Sequence, residues 1–468
     1  MIWRKKVGQE ESKKKQPFGS RDKIGYLLGD LGNDFSFQMA ASYLMVFYTK
    51  VLGVTAGFVG ALFLTARLVD AFTDVGMGNL CDNSRTQKDG RFRPWIRRMA
   101  VPVAIASVLM YNYLIADWAY PAKIAYVIVT YILWGSICYT GINIPYGSMA
   151  SVITADAAER TSLSTYRTMG ALFAGVFVGI LTPMLVYVKD ESGNSVPSGE
   201  RFLLVAILFA LFAILCYFLC YRFCQERVEL PQSEKKESTL LVDLKELMRD
   251  KAFLAVMAGA LLSLIANLSI ASLNQYLFLD YFGDTGYLAW VSIVSLLATL
   301  LIAPFGGKIT RKFGKKEAGT VSLLATAAIY FLIYFLHIKN PGIYLIWLFF
   351  AYAAVGYYTI VTWAFLSDVI DDYQVRTGRR KDGTVYAVYS FARKLGQALA
   401  GGIGGFALAL IGYEETAKVQ TEAVRESIYA ISMWIPAVSF LAGGLLLLFL
   451  YPLTRERVEE NQQKIRGL

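Results

Sequence analysis

The sequence predicts an all-α polytopic membrane protein with about twelve transmembrane helices in two bundles of six. Three observations predict it. Of 468 residues, 56% are hydrophobic and only 18% charged, with a mean hydropathy of +0.44, against about 45–50% and about 25% in soluble chains. Apolar runs recur along the chain, each near the roughly 20 residues that cross about 30 Å of hydrocarbon as a helix. One long charged stretch, 225–250, divides these runs six and six. Every backbone polar group must be satisfied inside lipid, so runs of this length are helices; barrel strands would read as alternating stretches of about ten residues.

The elements follow in order. Residues 1–23 form a basic, polar tail. Apolar runs near 24–50, 54–80, 98–116, 121–153, 161–188 and 202–223 make a first bundle, 24–224. The stretch 225–250 reads as a linker, with a short amphipathic piece, "LLVDLKELMRD", at its end. Runs near 252–280, 286–307, 317–338, 341–370, 384–412 and 427–452 make a second bundle, 251–452, and 453–468 is a charged tail. The bundles echo each other. "GNLCDNSRTQKDGRFRPW" (78–95) follows the second run as "GGKITRKFGKKE" (306–317) follows the eighth. "SVITADAAERTSLSTYR" (151–167) follows the fourth as "SDVIDDYQVRTGRRKDG" (367–383) follows the tenth. Repetition at a six-span period marks an internally duplicated transporter that handles its substrate between the halves, near the midplane.

Charge placement indicates the partners. Most of the 46 Lys and Arg lie in the two tails and in every second loop. By the positive-inside rule both termini face the cytoplasm, in a multi-pass protein of the cell (inner) membrane. The net charge of +10 is therefore topological; membrane lipid is the expected partner and nucleic acid is not. A long charged tail precedes the first run, so no cleavable signal peptide is read. With one His and five Cys, a His/Cys metal centre, a haem site and a disulfide scaffold are not expected, and the thiols are expected to be free. Without a Walker loop or a GxSxG motif, no enzymatic activity is expected.

Ionisable residues inside spans are costly, so each is a candidate functional group. The first bundle carries Asp30, Asp34, Arg67, Asp70, Asp74 and Arg167; the second carries Arg393 and Lys394. Four acids meet four bases, the balance that burial demands. Asp34, Asp70, Asn143 and Lys394 each lie ten residues from the basic end of their span, which is about 15 Å and therefore near mid-bilayer. Arg67, Asp70 and Asp74 are spaced i, i+3, i+7 on one helix stripe. Carboxylates four apart repel unless a cation or proton lies between them, which suits a coupling site for H⁺, or for Na⁺ held as a metal ion by Asp70 and Asp74. Thr140 offers a further oxygen, and in the simpler reading Arg67 only neutralises Asp70 and pins two helices. Asp34, Asn143 and Arg167 suit a polyhydroxylated neutral ligand, whose paired hydroxyls match carboxylates and forked guanidinium donors. Trp134, Tyr43, Tyr139 and Tyr146 are candidates for stacking or for packing. Asn267, Asn274 and residues 357–362 are candidates for the opposite wall. Arg393, about 100° round the helix from Lys394, is expected to pair elsewhere. Asp82, Arg85, Arg91 and Arg93 turn between the second and third spans and are candidate ion-pair or gating residues, or serve orientation and lipid contact.

Several segments carry a resemblance: "GYLLGDLGNDFSF" (25–37), "LFLTARLVDAFTDVGMG" (62–78), "GRFRPW" (90–95), "YILWGSICYTGINIPYGSM" (131–149) and "DVIDDYQVRTGRRKDGTVYAVYSFARKLGQALAGGIGGFAL" (368–408). They resemble the glycoside–pentoside–hexuronide:cation symporter family of the major facilitator superfamily, over residues 24–452. The resemblance implies two six-helix bundles and secondary active symport of a glycoside or oligosaccharide with H⁺ or Na⁺ by alternating access. It implies a monomer with no cofactor beyond the coupling ion. Asp70 and Asp74 match the family's cation carboxylates and Thr140 its helix-four oxygen ligand. Asp34 and Arg167 match its sugar-gripping pair, and Lys394 the lysine that approaches both sites. Thr73 stands where the best-known member has an asparagine serving Na⁺, in the coupling set. Asn143 replaces an aspartate, Gly147 a tryptophan that packs on sugar, and Val75 a proline. With one negative charge and one amide fewer, the site favours H⁺ over Na⁺ and leaves room for a differently shaped glycoside. Two other classes compete: a carrier of an amphipathic or lysolipid-like solute, and a non-transporting receptor or scaffold whose buried charges only join helices.

Overall fold

A computed structural model gives the fold, and the structure describes residues 17–84, 86–87, 89–228, 247–378 and 382–466. Among these, twelve long helices follow one another: α1 (Ser20–Val46, continued by a π turn Phe47–Val51), α2 (Ala56–Asn83), α3 (Arg93–Leu109), α4 (Tyr120–Ile153, with a π turn Leu133–Tyr139), α5 (Ala157–Val186) and α6 (Gly199–Phe223). The second set is α7 (Lys251–Tyr276, continued by a π turn Leu277–Tyr281), α8 (Leu288–Phe313), α9 (Lys315–Leu336), α10 (Pro341–Thr377), α11 (Asp382–Leu410) and α12 (Glu422–Leu450). Nine of the twelve are long and apolar enough by themselves to cross a membrane. A small antiparallel hairpin, Tyr187–Lys189 with Ser195–Pro197, joins α5 to α6. Most of the expected amphipathic linker piece lies outside the described residues.

Two departures from the sequence reading have local causes. The charged C-terminal tail, for which the sequence reading gave no secondary structure, carries a helix: α13 (Arg455–Arg466) lies against α10, where the Arg457 and Asn461 side chains donate to the buried Asp372 carboxylate at 3.2 and 3.0 Å. The third helix starts at Arg93, five residues before the apolar run. Pro94 sits in its first turn, where its missing N–H costs nothing. The backbone N–H groups of Arg91, Phe92 and Arg93 all donate to the Glu226 carboxylate, at 2.7 to 2.8 Å. An anion there satisfies the orphan donors of a helix start and its positive dipole end. Gly90 suits the cradle, since at its φ of +112° a side chain would be strained and its Cβ would push the Glu226 carboxylate out of place. Replacing Glu226 with Ala strips this cap, and we expect a loss of about 2 kcal/mol, read as a lower thermal-unfolding midpoint in detergent. An unchanged midpoint would show that the cradle is incidental.

Three helix pairs join the halves: α2 with α11, α5 with α8, and α1 with α7. The α2–α11 contact is the tightest. Gly57 and Gly60 of α2 meet Ala409, Gly402 and Gly405 of α11 almost backbone to backbone, the approach that small residues permit. Among the described residues, ion pairs at the terminus-bearing end stay within one half, as in Asp22–Arg227, Asp250–Arg376 and Lys315–Asp368. Among the described residues, the hydrogen bonds and ion pairs between halves lie at the midplane or at the opposite, far end.

Candidate transport site

The far end is closed by a cross-half cluster. Lys50, in the π turn that continues α1, lies 3.7 Å from Asp280 and 4.7 Å over the Tyr413 ring, and donates to the Ala417 carbonyl at 3.1 Å. Tyr413 donates to Asp280 at 2.9 Å, and the Thr49 and Tyr276 hydroxyls meet at 2.8 Å. Glu415, from the second half, accepts from the Ala56 N–H at 2.6 Å and so caps the start of α2.

At mid-depth the in-span charges form two groups. In the first, Arg167 donates through Nε to Asp30 at 2.9 Å. Gly170, one turn further along α5, sets this pairing: a Cβ there would sit 2.4 Å from the Leu27 carbonyl oxygen, so α5 crosses α1 backbone to backbone with Arg167 against Asp30. Asp34, one turn beyond Asp30 and half-buried, lies within reach of the same guanidinium and of Gln38. The guanidinium also covers the Tyr146 ring at 5.4 Å. The sequence reading named Asp34 and Arg167 together; the structure gives the direct bond to Asp30.

The second group joins both halves. Ser136 and Thr140 of α4 donate to Asp70 and Asp74 of α2, at 2.6 and 2.7 Å. Two hydroxyls four residues apart thus face two carboxylates four residues apart. Positions four apart share one face of a helix, so the pair on α4 matches the pair on α2, and the π turn Leu133–Tyr139 lies at this contact. Arg67 donates to Asp70 at 3.3 Å, and Lys394 of α11 donates to the other oxygen of Asp74. Thr73 spends its hydroxyl on the Asp70 backbone carbonyl at 3.1 Å and does not face the group. Asn143 is half-buried and makes no side-chain hydrogen bond among the described residues. It lies one turn from Thr140 and one turn from Gly147, whose would-be Cβ meets only Arg167, at 3.6 Å. It therefore stands between the two groups.

Other expectations divide. Trp134 is fully buried with Arg67 at 5.9 Å from its ring and Tyr146 is buried, so these two rings pack; Tyr43 is buried but lines the cavity described below, and Tyr139 is half-buried. Arg393 pairs elsewhere, over Trp363 at 5.7 Å. Arg91 gives its backbone N–H to Glu226, and Arg93 donates to the Tyr221 carbonyl at 2.6 Å, both inside the first half. The Asp82 side chain and Arg85 lie outside the described residues. All five cysteines are free and buried. Ser136, Asp280 and Lys50 were missed; Ser136 alone left a trace, as a hydroxyl four before Thr140.

Polar side chains are exposed from the terminus-bearing end to mid-depth. Thr161, Ser164, Thr165 and Thr168 form an exposed hydroxyl stripe along α5, and the Arg167 side chain above it is 41% exposed. Beyond it a cavity of about 460 Å³ opens between α1, α5, α7 and α8, with Gln38, Ser42, Thr168, Asn267, Asn274 and Ser292 on its wall. Residues 357–362 are not on it; Asn267 and Asn274 are.

Two six-helix bundles, touching across a charged mid-depth layer, closed at one end and hollow toward the other, define a transporter of the major facilitator type. The profile of the family described as MFS/sugar transport protein matches residues 25–455, and the chain belongs to that family, in its glycoside–pentoside–hexuronide branch. It is 32% identical to the putative glycoside/cation symporter YagG of Escherichia coli K12, over 95% of this chain and 94% of that one. It is 30% identical to the glucuronide carrier protein homolog of the same organism, over 96% and 98%. Among solved structures, the inward open xylose transporter XylE from E. coli superposes with a TM-score of 0.65 at 15% identity, covering 94% of this chain and 98% of that one, a likeness of fold.

Proposed function

We propose that the chain is an inner-membrane symporter that moves a glycoside or oligosaccharide with a cation, H⁺ in preference to Na⁺, by alternating access, with both termini in the cytoplasm. The observation that carries this is the Lys394–Asp74 bond. It is a joint between the halves made inside the cation group, one turn by way of Asn143 from the Arg167 grip. A cation on Asp74 competes with the Lys394 ammonium for the same carboxylate, so its binding loosens α11 from α2 and biases how the halves sit. Asp70 and Asp74 already accept from Ser136, Thr140, Arg67 and Lys394. A proton needs one lone pair, whereas a hard metal ion needs a shell of several oxygens, which favours H⁺. The basic end is cytoplasmic by charge placement, so the vestibule along α5 opens inward.

The test is solute-driven ion flux in proteoliposomes, with a panel of glycosides and with pH and Na⁺ varied separately. Glycoside addition should draw H⁺ in without Na⁺. Flux of neither ion would remove the symport reading; flux only with Na⁺ would remove the ion preference.

A further inference from the structure

A second, smaller cavity adjoins the cation group on its far-end side. It encloses about 40 Å³ between α1, α2, α4, α7 and α11, room for about two water molecules. The paired helices α1 and α7 divide it from the larger cavity. Ala41 and Ser272 face the small one, while their chain neighbours Ser42 and Ala271 face the large one. Its wall is apolar except at Arg67, Tyr131, Ser272 and Gln397.

Arg67 needs partners there. A guanidinium carries five N–H donors and no acceptor. Among the described residues Arg67 makes one hydrogen bond, to a single Asp70 oxygen at 3.3 Å. A committed arginine–carboxylate fork makes two parallel bonds at about 2.7–2.9 Å, so this guanidinium stands back from Asp70. The rings of Phe37 and Trp134, 5.2 and 5.9 Å from its Cζ, offer no lone pair. Buried donors without partners are costly. What the cavity offers them is the Tyr131 hydroxyl, the Gln397 amide and water, since Ser272 turns its hydroxyl to the Met45 sulfur at 3.5 Å. Gln397 is half-buried and makes no side-chain hydrogen bond among the described residues, so its carbonyl oxygen is free to accept. It lies three residues beyond Lys394, on the same stripe of α11 and one turn nearer the far end.

We propose that the small cavity is a water site, and that Gln397 anchors its water against Arg67, holding the guanidinium off Asp70 and so setting the affinity of the cation group without touching the solute. This rests on the symporter reading and deepens it. The water bridge joins α11 to α2 one turn from the direct Lys394–Asp74 joint. A cation that binds between Asp70 and Asp74 competes with Arg67 for a carboxylate, and a looser pair yields at lower cost. Without an acceptor at position 397 the water loses its anchor, and Arg67 closes on Asp70 in a full fork.

The experiment uses the full chain in proteoliposomes and the panel glycoside that drives the largest ion flux. Two quantities are read: the half-saturating concentration of the coupling ion for uptake, with H⁺ and Na⁺ varied separately, and the half-saturating glycoside concentration for equilibrium exchange at saturating ion. Gln397→Leu should raise the first about tenfold, the worth of one hydrogen bond to a charged group. Gln397→Glu keeps acceptor oxygens at the same reach and adds a charge that draws Arg67 further from Asp70, so it should lower the first. The second should move by less than about twofold in both, since linkage to the ion vanishes at saturation. Opposite shifts from one position are not what a packing role gives. A Leu variant at the wild-type ion value, or shifts of one sign in both variants, overturns the proposal and leaves the symporter reading standing. If the Leu variant does not fold, a Glu variant at or above the wild-type value overturns it. A crystal structure with Arg67 forked on Asp70 beside a dry cavity does the same. Ion flux with no glycoside in the wild type overturns both readings.

Discussion

Asp74→Asn is expected to reduce gradient-driven accumulation of glycoside to a ratio of about one, while exchange across an ungraded membrane continues. Asp74 accepts from Thr140 at 2.7 Å and from Lys394 across the halves. The amide keeps the shape but carries no charge, so it offers a coupling cation no counter-charge and leaves Lys394 a cation without its partner. Breaking a fully buried pair costs about 3–5 kcal/mol; Lys394, with a third of its side chain exposed, recovers part of that from water. A net loss of about 2 kcal/mol of stability is the expected scale of the broken pair, while the lost accumulation follows from the missing counter-charge. The proposed solute contacts at Asp34 and Arg167 lie on other helices, α1 and α5, and are expected to survive, so exchange persists. The measurement pairs counterflow with uptake under an imposed ion gradient. A variant that still concentrates glycoside would show that Asp74 only fastens helices.

Gly405→Leu should shift the protein away from the state closed at the far end. A Cβ at this position would meet the Ala56 carbonyl oxygen at 2.5 Å and the Gly60 Cα at 2.7 Å. Both are backbone atoms and cannot swing aside, so the strain of overpacking, about 1–3 kcal/mol, falls on the closed arrangement and is relieved when α2 and α11 part. Transport should drop several-fold. A cysteine placed at Ser272, which is buried against Met45 in the closed form, should react faster with an impermeant thiol reagent added outside. The five native cysteines are buried and give little background. Gly307→Ala, with nothing within 4 Å of its would-be Cβ, is the control and should transport normally. Unchanged labelling and uptake in Gly405→Leu would mean that the glycine seam does not gate the outer end.

Much of this was legible in the sequence because hydropathy and charge placement act locally. The twelve runs fall on α1 to α12, and Asp70, Asp74 and Thr140, named from spacing on single helices, share one group. What could not be read depends on how helices are rotated against each other. Asp30 and Asp34 lie one turn apart on α1, and only the backbone crossing at Gly170 shows which of them bonds Arg167. Ser136 looks like an ordinary mid-helix hydroxyl, four before Thr140, until the docking of α4 against α2 sets it on Asp70. The start of α3 was misjudged because Glu226, more than a hundred residues away, supplies its cap. For Trp134 the sequence leaves stacking and packing open, and its complete burial selects packing.

The Lys50–Asp280 contact has a consequence for ancestry. Lys50 is the fourth of five residues in the π turn Phe47–Val51, and Asp280 is the fourth of five in the π turn Leu277–Tyr281, which ends the matching helix of the other half. The two occupy equivalent places about the pseudo-twofold axis, where a self-complementary interface sets a residue against its own copy. In a twofold-symmetric forerunner made of two identical six-helix chains, that spot would have held like charges or none. Opposite signs there become available only once the two copies have diverged in sequence, so an electrostatic outer seal is younger than the duplication that the two halves echo.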